Sequence, residues 1–139
     1  MNSVCEIFNF QLSIFNKIPM AETHKYDLEE RTAVFAEKVV RLARSIKQDS
    51  VNRRIIEQVV GSSGSIGANY YEATEAESKK DFTHKIGICR KEAKETKHWL
   101  RLLATAHPER SNEIRPLWKE AGEFVLIFSK IVRTSRGEN

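Results

Sequence analysis

Residues 78–108, SKKDFTHKIGICRKEAKETKHWLRLLATAHP, decide the fold. Phe82, Ile86, Cys89, Ala93, Thr96, Leu100 and Leu103 recur at alternating steps of four and three without a break. An α-helix completes a turn every 3.6 residues, so these side chains share one face. Ser78 with Asp81 three residues on is a capping pair for the helix start. His107-Pro108 closes the helix, because the residue before a proline avoids the α region.

Similar stripes lie on both sides. A first helix is expected from about Leu28 to Gln48, opened by Asp27-Leu-Glu-Glu30 as a capping box, with Leu28, Phe35, Val39, Leu42 and Ile46 on one side. A second runs from near Ser50 to near Ala76, with Val51, Ile55, Val59, Ile66, Ala73 and Ala76 inward and Ser62 and Asn69 among them. The fourth begins between Ser111 and Arg115, with Pro116 in its first turn, where the missing N–H costs little. Leu117, Ala121, Phe124, Phe128 and Ile131 form its seam, and Trp118, Val125 and Val132 a second seam beside it. Four helices with short connections predict an all-α, antiparallel up-and-down four-helix bundle over residues 27–135, followed by a frayed tail at 136–139.

The chain's 139 residues suit one domain with its own core. No apolar run approaches the roughly 18 residues that span a bilayer. Two cysteines, Cys5 and Cys89, make no disulfide framework and read as reduced thiols of a cytoplasmic protein. Residues 1–26 form an N-terminal extension whose apolar positions show no helical period. Its first positive charge is Lys17, which argues against a secretory signal. It reads either as a loosely docked arm or, up to residue 19, as sequence upstream of a true start at Met20. Residues 1–19 are expected to be dispensable for folding.

Several constellations invite chemistry. Gly61, Gly64 and Gly67 are spaced by three, but the GK[ST] ending and GxGxxG spacing of phosphate loops are absent. Close packing of another helix around Gly61, Ser65 and Ala68 is the reading preferred. Glu95-x-x-His98 has the spacing of a di-iron ligand pair, and Asp81-x-x-His84 imitates it. Both lie on one helix, so they cannot face each other, and no metal or cofactor is expected. Cys89 falls in the core register and reads as a small hydrophobe rather than a nucleophile. Asn69 reads as a buried amide whose hydrogen bond fixes helix register.

Charge is concentrated on the third helix. From Ser78 to Leu103 eight basic residues face three acidic ones, a net +5, against +4 for the whole chain. Arg90, Lys94, Lys97 and Arg101 are spaced four, three and four, so they line one edge; Lys80 and Lys91 support them from the adjacent strip. Such a row is either a solvated face or a phosphate-binding ridge. Apolar residues off the core stripes, Trp99, Leu102, Trp118, Val125, Val132 and Tyr71, suggest an interface between copies of the chain.

From Tyr26 onward the chain resembles the family of four-helix-bundle proteins encoded in intervening sequences of 23S rRNA genes, to which accessory proteins of diversity-generating retroelements look related. The resemblance rests on Leu28-x-x-Arg31-Thr32-x-x-Phe35-Ala36, on Ser65-Ile66-Gly67-Ala68-Asn69-Tyr70-x-Glu72-Ala73, and on Ser78-x-x-Asp81-Phe82 with Lys91-Glu92-Ala93-x-Glu95-Thr96-x-x-Trp99-Leu100. It covers about four fifths of the chain; the fourth helix matches only in pattern. The resemblance implies a bacterial bundle assembled into a ring, a homopentamer, with no enzymatic activity and a role in nucleic-acid binding. Gly61 departs from the arginine that relatives often carry there, so any contact made by that arginine is missing. Together these readings predict a non-catalytic oligomer binding RNA or DNA with low sequence preference. A scaffold or adaptor that recruits a protein partner is the alternative.

Overall fold

The computed structural model describes residues 27–138. The readings of residues 1–26, Cys5 and Met20 included, and of Asn139 lie outside the described residues. Four helices make up nearly all of the rest: α1 Leu28–Arg44, α2 Asn52–Thr74, α3 Lys79–Ala106 and α4 Ser111–Ser135, with a single 3-10 turn at Pro108–Arg110. No strand occurs among the described residues. Contacts between helix ends fix the directions. Thr32 near the start of α1 meets Gly67 near the end of α2. Asn52 at the start of α2 meets His107 at the end of α3, and Thr83 at the start of α3 hydrogen-bonds Ser135 at the end of α4. Neighbours along the chain are therefore antiparallel, as an up-and-down bundle requires.

The α3 stripe is inward as its period demands: Phe82, Ile86, Cys89, Ala93, Thr96, Leu100 and Leu103 are all buried. Ser78 Oγ accepts from the Asp81 N–H at 3.0 Å, satisfying one of the free donors of the first turn. Across the core the Phe35 and Phe124 rings meet edge to face at 5.3 Å, and Phe128 packs on Phe124 and on Tyr70. Burial pushes the Cys89 thiol up to about 12, which keeps it protonated and inert. Its Sγ lies 3.5 Å from the Ile66 carbonyl.

Four boundaries or registers differ from the sequence reading. First, α1 ends at Arg44 rather than near Gln48. Ile46 leaves the helix yet stays buried, and Asp49 and Asn52 organise the turn that follows. Asp49 Oδ1 accepts from the N–H groups of Val51 and Asn52, both at 2.8 Å, so the aspartate caps α2 from outside it. Second, the face of α2 is rotated at its start. Val51 is exposed and Asn52 and Ile56 are buried instead. Asn52 Oδ1 accepts from the Asp49 N–H, while its Nδ2 donates to the Lys47 carbonyl and to His107 Nε2. Asn69 is only half-buried and donates to the Ser65 carbonyl; Tyr70 takes the core position.

Third, the close approach to α2 occurs at Gly67, not around Gly61. A Cβ on Gly67 would lie 3.1 Å from Thr32 Oγ1, whereas Gly61 and Gly64 face nothing within 4 Å. Fourth, α4 starts at Ser111, the early end of the expected range, and runs to Ser135, the expected end of the bundle. Pro116 therefore sits in the second turn, inside the helix. At the other end Gly137, with φ of +74°, lets the Glu138 N–H reach the Arg133 carbonyl at 2.9 Å. That αL cap orders residues 136–138, where the sequence predicts a frayed tail.

Candidate nucleic-acid interface

The basic residues singled out on α3 lie at its surface. Lys80, Lys91, Lys94 and Arg101 are exposed, and Arg90 and Lys97 are half-buried. The row runs along the α4 side of the helix. Lys97 lies across Gly122, and its Nζ sits 4.2 Å from the centre of the Trp118 ring. That cation–π contact fixes the position of the charge without neutralising it. Lys85 is different: it is on the α2 side, 2.7 Å from Glu72, and this hydrogen bond pushes its pKa up. Of the acidic residues on α3, Glu92 is held upward by burial and then by the neighbouring Glu95. Glu95 and His98 are exposed, and His98 packs edge-on against Trp99 at 5.2 Å. Among the described residues no group of three or more His, Cys, Asp or Glu could hold a metal ion.

A groove lies beside the row at the end of the bundle where α3 starts and α4 stops. It has a volume of about 820 Å³. Lys79, Lys80, His84, Arg90 and Lys91 line it from α3, and Arg136 from the cap of α4. Among the described residues no carboxylate lines it. Arg136 escaped the sequence reading because it falls in the expected frayed tail at 136–139; Gly137 just after it was the available signal of an αL cap.

The residues proposed for an interface between copies divide. Tyr71 is 54% exposed and Trp118 37%, while Trp99, Leu102 and Val125 are half-buried, Trp99 and Val125 against the core. Val132 is only 1% exposed. It belongs to the core, because one turn from Phe128 it falls on the same inward face as Ile131. Like Val40 on α1, Leu126, 71% exposed, is an apolar surface residue that sequence reasoning missed. It lies outside both seams of α4, and its signal was being a leucine with no stripe to join.

The model of the 23S rRNA-intervening sequence protein family matches residues 24–130. The chain belongs to this family. A solved structure of a protein of unknown function from the S23 ribosomal protein family of Bacteroides thetaiotaomicron is similar, with 29% identity and a TM-score of 0.67. The match covers 76% of this chain and 98% of that one. No curated protein matches.

The motifs that carried the resemblance have structural work in this member of the family. Arg31 Nε lies 3.2 Å from Glu120 Oε1, its Nη2 pairs with Glu123, and its guanidinium sits over the Phe124 ring. It thereby ties α1 to α4. Thr32 packs against Gly67, and Glu72 pairs with Lys85. Thr96 Oγ1 lies 2.9 Å from Ser62 Oγ, joining α3 to α2 in the core. Lys91 and Glu95 point outward instead.

Proposed function

We propose that this protein is a non-catalytic bundle that binds nucleic acid, RNA or DNA, through the basic face of α3. One observation carries the reading: the eight basic residues of α3 outnumber its acidic ones by five, and Arg90, Lys94, Lys97 and Arg101 form one row at the surface. Contacts of this kind go to phosphates, position the backbone and carry little sequence information, so sequence preference is weak. Arg90, Lys94, Lys97, Arg101, Lys80 and Lys91 are the residues assigned to it.

The chain acts as a homo-oligomer, five subunits being the number the family resemblance implies. Exposed Tyr71, Trp118 and Leu126, with the half-buried Trp99, Leu102 and Val125, supply the apolar contact. A ring repeats the basic row around the assembly, and multivalency strengthens weak single contacts. The proposed place of action is the cytoplasm; no helix among the described residues is long and apolar enough to cross a membrane.

Titrating labelled RNA and duplex DNA at several salt concentrations tests the reading. Each neutralised duplex phosphate contributes about −0.9 to the slope of log affinity against log salt. A slope of about −3 or steeper is expected for the row. Absence of binding at low salt would overturn the reading in favour of a protein adaptor.

A further inference from the structure

The row on α3 is open and nearly straight, so it would accept single strands and duplexes alike. The groove beside it has a different shape. It lies where the start of α3 meets the end of α4, and helices in contact run about 8–10 Å apart. Its walls come from both: Lys79, Lys80 and Lys91 on one side, Arg136 on the other. Thr83 and Ser135, bonded to each other, join the helices between those walls. Five of its residues, Lys79, Lys80, His84, Lys91 and Arg136, are exposed, so the groove is open along its length rather than closed over a small ligand. Gly87 leaves its side clear, since a Cβ there would meet nothing within 4 Å.

We infer that this groove seats the sugar-phosphate backbone of a single nucleic-acid strand, with Arg136 and Lys80 closing on it from opposite helices. The inference rests on the nucleic-acid reading above and adds the strandedness of the partner and a residue, Arg136, to its site. Arg90 lines the groove and also begins the row, so a strand leaving the groove continues onto Lys94, Lys97 and Arg101. A duplex presents its phosphates on a wide convex surface. It can lie on the row but cannot enter a cleft between two adjacent helices. Among the described residues no Phe, Tyr or Trp lines the groove, so none of them stacks bases there, and its phosphate contacts are indifferent to sequence.

The test compares a labelled single-stranded RNA with a duplex DNA of equal length, using the full chain, its Lys80→Ala/Arg136→Ala variant and a Lys94→Ala/Arg101→Ala variant. Circular dichroism confirms the fold of each. The wild type binds the single strand more tightly than the duplex at the same salt. Removing Lys80 and Arg136 flattens the single-strand salt slope by about 1.4, at roughly 0.7 per phosphate, and the duplex slope by no more than about 0.9, the share of Lys80 alone. Removing Lys94 and Arg101 flattens both slopes. An Arg136→Lys variant, which keeps the charge, retains most of the single-strand slope. An unchanged single-strand slope in the Lys80/Arg136 variant, or equal affinity for the two ligands, overturns the groove while leaving nucleic-acid binding in place. Failure of the wild type to bind either ligand overturns the parent reading instead.

Discussion

Gly64 and Gly67 sit one turn apart on α2 and should respond to alanine in opposite directions. Gly64 faces open space, so Gly64→Ala removes the helix penalty of glycine and stabilises the protein by about 0.5–1 kcal/mol. At Gly67 the new methyl would meet Thr32 Oγ1 at 3.1 Å. Thr32 is fully buried and its hydroxyl is tied to the Leu28 carbonyl at 2.6 Å, so it has nowhere to move. Overpacking of this kind costs about 1–3 kcal/mol and outweighs the gain in helix propensity. Chemical denaturation of both variants checks the pair; a stabilised Gly67→Ala would show that α1 and α2 are less tightly joined than described. The glycines illustrate what residue patterns leave open. Spacing alone places Gly61 and Gly67 alike within a helix, and only the approach of α1 distinguishes them. Val132 is a similar case. Its position relative to a seam was legible, but whether a second seam faces a neighbour or the same core depends on how far α4 is wrapped by α3.

At the scale of elements, the start of α2 depends on a residue outside it. Asp49 accepts from the N–H groups of Asn52 and Val51, and these bonds hold its carboxyl below the usual carboxylate range. Its folded pKa is thus lower than its unfolded one of about 3.9. The stability it contributes is fully present above about pH 4 and is lost as the pH falls through the lowered folded value. The difference in melting temperature between the wild type and Asp49→Ala should therefore be constant at neutral pH and shrink below about pH 4. A difference that persists undiminished at pH 2 would remove the carboxylate from the cap. Helix existence was legible throughout, because apolar steps of three and four need only local chemistry. The ends were less so. The stop at Arg44 follows from a side-chain network around Asn52 that draws on His107 of another element. The ordered cap beyond Ser135 follows from one left-handed glycine.

At the scale of the molecule, the bundle accounts for its core and leaves two surfaces unexplained by folding, one apolar and one basic. Leu126 and Trp118 on α4 and Tyr71 on α2 are the clearest members of the first. Light scattering on the purified chain should give a mass several times that of one subunit, five being the proposed number. Leu126→Lys with Trp118→Lys should shift it toward the monomer; a monomeric wild type at micromolar concentration would contradict the assembly. The basic row was legible in the sequence because its period matches that of the helix. The groove was not, since Arg136 approaches α3 only through the packing of α4. Replacing Arg90, Lys94, Lys97 and Arg101 together with Ala decides whether the row holds nucleic acid. None of the four belongs to the buried core, so the helical signal should survive. The slope of log affinity for duplex DNA against log salt should flatten by about 3 to 4 units per subunit engaged. A folded quadruple variant that binds with the slope of the wild type would contradict the claim.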